Sequence, residues 1–186
     1  KVVINAAGAW CDQVADLAGA KPVGLVPKRR TAILFDGPDD MPFAAWPAFI
    51  DAEEKFYARP EGGVMMGSPA DETPMEPCDV QPEELDIAIA VDRLQTATTL
   101  KIRHVIRSWA GLRSFVADKT PVVGFDPKVE GFFWLAGQGG YGIQTAPSMG
   151  RVAAALAAGI DIPADLETFG VKATALSPAR FGAGQP

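Results

Sequence analysis

The chain contains few of the side chains from which many active sites are built. Its 186 residues include a single histidine, His104, and two cysteines, Cys11 and Cys78, that lie too far apart for a CxxC pair. We therefore expect neither a zinc site nor a disulfide framework, but two reduced thiols in a cytoplasmic protein. No GxSxG motif supports a hydrolase. His104, with no serine or carboxylate beside it in sequence, is expected to be structural or exposed rather than a general base.

An excess of basic residues is also missing. Lysine and arginine total 17 against 23 aspartates and glutamates, for a net charge of −6, which argues against a nucleic-acid binder and against a polybasic membrane segment. No apolar run approaches the length of a membrane span, and Lys1–Asn5 is too short for a signal peptide. With 48% hydrophobic and 22% charged residues, the chain is expected to fold as one domain, or one domain and a fragment.

The first twenty residues predict a βα unit. Val2–Ile4 is a β-branched run typical of a buried strand, small residues follow it, and the apolar spacing of Trp10–Ala18 predicts a helix. Such a unit normally belongs to a parallel sheet, and one unit cannot form a sheet. We expect some of its partner strands to come later in the chain and others to be absent from it.

The middle of the chain predicts an antiparallel α+β region. The predicted elements are one or two strands in 22–36, a loop over 36–47, a hairpin of 49–59 with 64–67, a further loop at Pro74 and Pro77, a helix over 82–98 and a strand over 100–107. A second hairpin, 122–125 with 132–136, and a helix to about Ala158 follow, and residues 160–186 are expected to be mostly irregular.

A glycine cluster, Gly137–Gly142, lies between the last predicted strand and an alanine-rich helix. Glycines before a helix N-terminus let the backbone approach a ligand and direct N–H groups at it, and Pro147 would stand near the helix start. The cluster matches neither GxGxxG nor GxxxxGK[ST], so the pattern leaves two alternatives open: a cofactor cradle or a tight turn.

Three arginines and a tyrosine are further candidate positions, and one of them requires an anionic partner. Arg113 stands among apolar residues in Trp109–Phe115, and a half-buried guanidinium requires an anionic partner, either a ligand carboxylate or one of the chain's own acids. By pattern alone, Arg29 and Arg30 indicate a solvated surface, and Tyr57 a core or cross-strand aromatic.

Several segments together resemble the FAD-dependent D-amino-acid oxidase family, which includes glycine and sarcosine oxidases. The start Val2–Trp10 is similar to the family's second nucleotide-binding strand and turn, Trp109–Arg113 to its substrate-arginine motif, and Gly137–Thr145 to its C-terminal flavin loop. Gly67–Ala70 and Asp79–Glu83 extend the similarity, which is strongest to the bacterial D-arginine dehydrogenases. Their order along one chain is more specific than any single motif.

The resemblance implies the C-terminal half of a two-domain enzyme, because the family's opening GxGxxG unit is absent. The expected architecture is α/β plus α+β: an antiparallel-sheet substrate domain with an incomplete Rossmann-like FAD domain. The implied division is 1–20 and 109–160 as pieces of the FAD domain, 21–108 as the substrate domain and 161–186 as a C-terminal tail.

The resemblance also implies roles for individual residues. Arg113 would bind the substrate carboxylate with the Tyr57 hydroxyl as a second donor, Arg30 would lie near the substrate, and Gly140 and Gln144 would lie beside substrate and flavin. The implied cofactor-binding residues are Ala7, Gly8, Trp10, Gly111, Gly139, Gly140, Tyr141, Gly142, Ile143, Gln144 and Thr145. No residue is singled out as a general acid or base, and no metal is expected.

The implied activity is oxidation of a D-amino acid by hydride transfer to FAD, followed by hydrolysis of the imine to a 2-oxo acid and ammonia. FAD is expected to be noncovalent, because Val116–Asp118 stands where some relatives carry a flavin-linking cysteine. An N-methyl-amine or glycine oxidase, or a noncatalytic binding module that retains the substrate domain, remain alternatives. We expect the chain by itself to be inactive, and to form a homo-oligomer or bind a complementary N-terminal half.

Overall fold

A computed structural model describes residues 1–182, which form two compact units. The first unit joins both ends of the chain, Lys1–Pro27 and the residues from Arg113 onward, and the second is Lys28–Leu112. The architecture is mixed α/β with antiparallel pairing in both units, as predicted.

Nine strands and five α-helices are formed by the described residues. The strands are β1 (Val3–Asn5), β2 (Val26–Phe35), β3 (Phe49–Ile50), β4 (Tyr57–Glu61), β5 (Val64–Ser68), β6 (Thr73–Pro74), β7 (Arg107–Phe115), β8 (Val122–Phe125) and β9 (Phe132–Ala136). The helices are α1 (Cys11–Leu17), α2 (Glu84–Ala97), α3 (Gly142–Ala157), α4 (Ala164–Glu167) and α5 (Ala173–Leu176), with 3₁₀ turns at Gly8–Trp10 and Pro178–Phe181.

The first unit is a three-stranded sheet with helices on both faces. Its strand order is β1-β9-β8, with β1 parallel and β8 antiparallel to β9. Side chains alternate along β9, so Trp134 packs with Cys11 of α1 on one face while Phe133 packs with Val152 of α3 on the other. The predicted βα unit and second hairpin are both present.

The prediction that the first strand is buried is wrong. Val3 is 62% exposed and Ile4 is 49% exposed, although they point to opposite faces of the sheet. Within residues 1–182, β1 pairs only with β9, so its other edge is open. The following helix likewise buries Cys11 and Ala15 rather than the predicted apolar face, and Leu17 is exposed.

The C-terminal residues are more regular than predicted. They form α4, α5 and a 3₁₀ turn, and Ile162, Leu166 and Leu176 join the core around Phe133. These apolar side chains have no helical periodicity because the helices are only one turn long, and their burial depends on the sheet they cover.

The second unit is a mostly antiparallel sheet with a helix on one face. Its order is β3-β4-β5-β2-β6, and β7 also pairs with β2. Ile33 and Phe35 of β2 pack with Ala90 and Leu94 of α2. The predicted hairpin of 49–59 with 64–67 is confirmed in part: β4 pairs with β5, but the first predicted strand is divided into β3 and β4, which pair with each other. Pro74, predicted to be in a loop, lies in the two-residue strand β6.

The predicted strand over 100–107 is wrong, because the strand begins at Arg107. Leu100 and Ile102 alternate inward and are buried in the core, but no ladder forms there. The Ile102 amide donates instead to the Gln95 side chain at 2.9 Å. The alternation predicted burial correctly at Leu100 and Ile102 but not farther along, where Ile106 is 47% exposed. The available hydrogen-bond partners decided the secondary structure.

Candidate functional site

The glycine ribbon, residues 137–141, lies across the end of β7 in the first unit. The Gly139 N–H donates to the Ser114 carbonyl at 2.9 Å. A Cβ on Gly139 would lie 2.4 Å from the Phe115 ring, and one on Gly140 would lie 2.9 Å from Nη1 of Arg113. Glycine at position 139 therefore allows the ribbon to lie this close to Phe115, and the approach brings the flexible end of Arg113 beside Gly140.

The ribbon leads into an uncapped helix N-terminus. The first helical bond of α3 runs from the Thr145 N–H to the Tyr141 carbonyl at 3.0 Å, Tyr141 supplies no side-chain cap, and the first turn holds no acidic residue. The amides preceding Thr145 at the helix start thus lack helical acceptors, and the helix dipole makes this end positive. Together with the Arg113 guanidinium, this end of the unit is suited to an anion or a partly negative group.

Residues around the helix start are accessible. Ile143 is 95% exposed and Tyr141 is 62% exposed, and Gly140 and Gln144 are exposed as well. Thr145 differs, because its hydroxyl donates to the Tyr141 carbonyl at 2.8 Å and thus serves the helix itself.

The expected position of Pro147 needs correction. It is the sixth residue of α3 rather than one near the start, because the helix begins at Gly142. Since proline has no N–H, Pro147 cannot donate a helical bond to the Ile143 carbonyl.

The turn after β1 is fixed by a buried asparagine. Asn5 donates from Nδ2 to the Cys11 carbonyl at 2.8 Å and accepts from the Ala7 N–H at 3.3 Å. Gly8 has a φ of 60° and Trp10 is exposed. The predicted cofactor residues of this segment are therefore held on a defined turn, and Asn5, which sequence reasoning did not select, holds it.

In the second unit, Arg30 and Tyr57 lie on the same face of the sheet. Tyr57 pairs with Ser68, while the adjacent pair Ala58 and Gly67 is in register with Ile33, whose side chain points to α2. Arg30 lies three residues from Ile33 along β2 and Tyr57 one residue from Ala58 along β4, so both point away from α2. The sheet thus places these two predicted substrate residues on the face that α2 leaves uncovered.

Arg30 is held by two neighbouring groups. Its Nε donates to the Asp71 carbonyl at 2.8 Å and its Nη2 to a carboxylate oxygen of Glu72 at 3.3 Å, and its side chain is only 13% exposed. Nη1 donates to no acceptor within residues 1–182. One end of the guanidinium therefore remains available to a ligand.

Arg29 corrects the expectation that this arginine pair is solvated. Its side chain is 5% exposed and forms ion pairs with Glu83 and with Asp86, the latter at 2.8 Å. The two arginines alternate across the strand, so Arg29 points to the acidic residues at the start of α2 and Arg30 to the opposite face.

The remaining sequence-predicted positions show no built site. Gly111 is exposed on β7, and a Cβ there would meet nothing within 4 Å. His104 is exposed and 3.6 Å from Asp36. Burial raises the pKa of the Cys11 thiol to about 11. No group of three or more potential metal ligands occurs in residues 1–182, and none of the helices there is long and apolar enough to cross a membrane.

A cavity of about 560 Å³ in the second unit contains none of the predicted site residues. Asp36, Phe43, Trp46 and Arg103 are among the residues that line it. It lies at the opposite end of β2 from Arg30, six residues or roughly 20 Å along the strand.

Comparison with known proteins identifies the family to which this sheet organisation and anion-suited helix start belong. The pattern of the DAO family, described as FAD dependent oxidoreductase, matches residues 1–156. The chain therefore belongs to the DAO family of FAD-dependent oxidoreductases.

Relatives and solved structures agree with this assignment. FAD-dependent oxidoreductase domain-containing protein 1 of Xenopus laevis is 31% identical over 177 residues, which cover 83% of this chain and 34% of that protein. Glycine oxidase from Geobacillus kaustophilus has a TM-score of 0.71 at 22% identity, covering 92% of this chain and 45% of that one. L-proline dehydrogenase from P. horikoshii has a TM-score of 0.72 at 21% identity, covering 99% and 48%. The chain thus spans a third to a half of the length of these proteins and covers part of their fold.

Proposed function

We propose that the protein takes part in the FAD-dependent oxidation of an amino acid, with a D-amino acid as the first substrate class to test. Arg113, held beside Gly140 at the N-terminus of α3, is the observation that carries the proposal. A planar guanidinium binds a carboxylate through two parallel hydrogen bonds, which fixes the orientation of the substrate α-carbon.

When bound, FAD would supply the hydride-accepting chemistry that converts the substrate amine to an imine. Water then adds to the imine, which yields a 2-oxo acid and ammonia. The amides that open α3 would stabilise negative charge on a flavin ring, and residues Gly139–Thr145 together with Ala7, Gly8 and Trp10 would contact the cofactor. The close approach of Gly140 to Arg113 keeps the guanidinium next to the start of α3, which supports an anionic or partly negative ligand there.

We propose that Arg30 and Tyr57 supply further donors to the substrate. Both lie on the sheet face away from α2, and Arg30 retains an Nη1 without an acceptor in residues 1–182. Neither is a general base, and none is needed if the substrate amine loses its proton before hydride transfer.

We also propose that the flavin is held without a covalent bond and that the protein is cytoplasmic. The segment Val116–Asp118 contains no cysteine, and Cys11 is fully buried with a pKa raised to about 11, which disfavours the reactive thiolate. Cys11 and Cys78 are unpaired, which supports a reducing compartment.

We further propose that β1 is completed by a strand from a complementary N-terminal half. Val3 and Ile4 are exposed on opposite faces, and one edge of β1 is open within residues 1–182. Parallel sheets are normally covered on both faces, and the relatives are two to three times as long as the part that this chain spans. The chain by itself is then expected to be inactive.

The decisive experiment expresses the complete reading frame that encodes this sequence and records the flavin absorption of the purified protein. We expect bound FAD and formation of ammonia from D-arginine or from glycine, or of methylamine from sarcosine, whose nitrogen carries the methyl group. Arg113→Lys should mainly raise KM, because an ammonium cannot bind a carboxylate with two parallel bonds. A well-folded, colourless protein that takes up no added FAD would reject the proposal and favour a noncatalytic binding module.

A further inference from the structure

The segment after β5, residues 70–74, is hydrogen-bonded to β2 on both sides of Arg30. The Asp71 carboxylate accepts from the Thr31 N–H at 2.7 Å and from the Thr31 hydroxyl at 3.0 Å. The carbonyl of the same residue accepts from Nε of Arg30 at 2.8 Å. Asp71 therefore binds the backbone next to Arg30 through its side chain, and the Arg30 side chain through its backbone.

The path of the chain fixes where Asp71 points. Ala70 has a φ of 53°, an uncommon conformation for a residue with a side chain, and its N–H donates to the Ser68 hydroxyl at 3.1 Å. Two residues after Asp71, β6 begins and pairs with Lys28 and Arg29 of β2. The tight turn between β5 and β6 thus leaves Asp71 facing β2, and its side chain is only 8% exposed.

The second anchor of Arg30 is weaker. Glu72 is 3.3 Å from Arg30 and 2.9 Å from Lys28, so its carboxylate is shared, and its side chain is 42% exposed. Exposed ion pairs contribute little to rigidity. The buried contacts of Asp71 are consequently the ones that restrict the rotamers of Arg30.

We propose that Asp71 is the positioning residue for Arg30, holding its guanidinium so that Nη1 faces the substrate. This inference rests on the proposed function, in which Arg30 contacts the substrate. The Asp71 carboxylate itself touches only β2. Without it the 70–72 turn is released from Thr31, the carbonyl leaves Nε, and Arg30 becomes a mobile cation.

The first test observes Arg30 directly by NMR in the full chain. In the wild type, the Nε–H of Arg30 is donated to a carbonyl and should exchange slowly with solvent. In Asp71→Ala we expect its exchange to be at least about tenfold faster, since a charged hydrogen bond anchors the turn. Asp71→Asn keeps one acceptor for the Thr31 amide and should give an intermediate rate, which also serves if the alanine variant does not fold.

Asp126→Ala is the matched control. The Asp126 carboxylate accepts from two backbone amides, those of Lys128 and Val129, at 2.9 Å, but it lies in the first unit. It should leave the Arg30 signal unchanged. An Arg30 signal that is equally protected in wild type and both Asp71 variants overturns the proposal.

The second test separates this inference from the proposed function. In the complete enzyme, Asp71→Ala should raise KM about tenfold and change kcat less, and should add nothing in an Arg30→Ala background. If Arg30→Ala alone leaves KM unchanged, the role of Arg30 in the proposed function fails, while the NMR result still decides whether Asp71 positions it. If Arg30→Ala raises KM and Asp71→Ala raises it further by the full factor, Asp71 acts independently of Arg30 and the inference is rejected.

Discussion

Replacing Gly139 by alanine should destabilise the first unit more than any ordinary surface substitution. Gly139 has a φ of 55°, and its new Cβ would lie 2.4 Å from the Phe115 ring, where ordinary contacts are 3.4–4 Å. The ring or the ribbon must therefore move by about 1 Å, which is overpacking of a fixed site. An alanine in left-handed backbone conformation and the overpacking together should lower the free energy of unfolding by roughly 2 to 6 kcal/mol.

That cost can be measured by thermal unfolding. For a chain of this length each kcal/mol shifts Tm by roughly 2–4 °C, so Gly139→Ala should lower the Tm of the first unit by about 5 °C or more. Gly150→Ala is the control: it lies inside α3 with nothing within 4 Å of a new Cβ. It should raise stability by about 0.5–1 kcal/mol, because alanine is the better helix former.

A second-site variant tests the steric part separately. In Gly139→Ala, adding Phe115→Leu removes the ring edge that the new methyl meets, so the double variant should be more stable than the sum of the single changes by more than about 1 kcal/mol. The backbone part of the loss would remain. A Gly139→Ala protein as stable as wild type, or additive effects in the double variant, would refute the packing described for the ribbon.

Further predictions concern Gly140 in the candidate site, the buried thiol of Cys11 and the open edge of β1. Gly140→Ala should weaken binding of a carboxylate substrate several-fold with little loss of Tm, because its new Cβ, 2.9 Å from Nη1, displaces the flexible end of Arg113 rather than backbone; an unchanged KM would contradict this placement. Near pH 8 one thiol per native chain should react rapidly with a thiol reagent and Cys11 should not, and two equally fast thiols would be evidence against its burial. Because the unfolded state releases the Cys11 proton near pH 9 and the folded state only near 11, stability should also fall as pH rises between these values, and less so in Cys11→Ala. The chain by itself should self-associate through the open edge of β1. Ile4→Lys should reduce the apparent mass in light scattering, since a charge on an edge strand opposes strand addition. A monomeric wild-type chain would contradict this prediction.

Local sequence patterns were sufficient for the elements whose hydrogen bonds are also local. The β4–β5 hairpin follows from its Gly62-Gly63 turn, α2 from its acidic first turn and apolar spacing, and the β8–β9 hairpin from two apolar runs around a loop. The same patterns misplaced the strand near Leu100, because its alternation reflects packing on α2 while the sheet partner of the chain is reached only at Arg107.

In the candidate site, too, the sequence predicted the local features, and contacts between distant residues decided the rest. A glycine cluster before an alanine-rich helix indicated a close backbone approach, but whether it approached a ligand or the chain itself was undecided from the pattern. The structure shows that the chain itself occupies part of that space, since Phe115 and Arg113 lie against Gly139 and Gly140. Asp71 had no sequence signal at all, because its partners Arg30 and Thr31 are some forty residues away.

The sequence by itself indicated the class of protein, because several motifs that resemble one family stand in that family's order along the chain, while the acidic composition and the scarcity of histidine and cysteine only excluded other classes. Only the tertiary structure decided which arginine is buried among acids and which keeps a donor for a ligand, since Arg29 and Arg30 are identical neighbours until a strand turns them to opposite faces. The sequence specifies the chemistry of each side chain, whereas its burial and its partners are set by contacts between residues far apart in the chain.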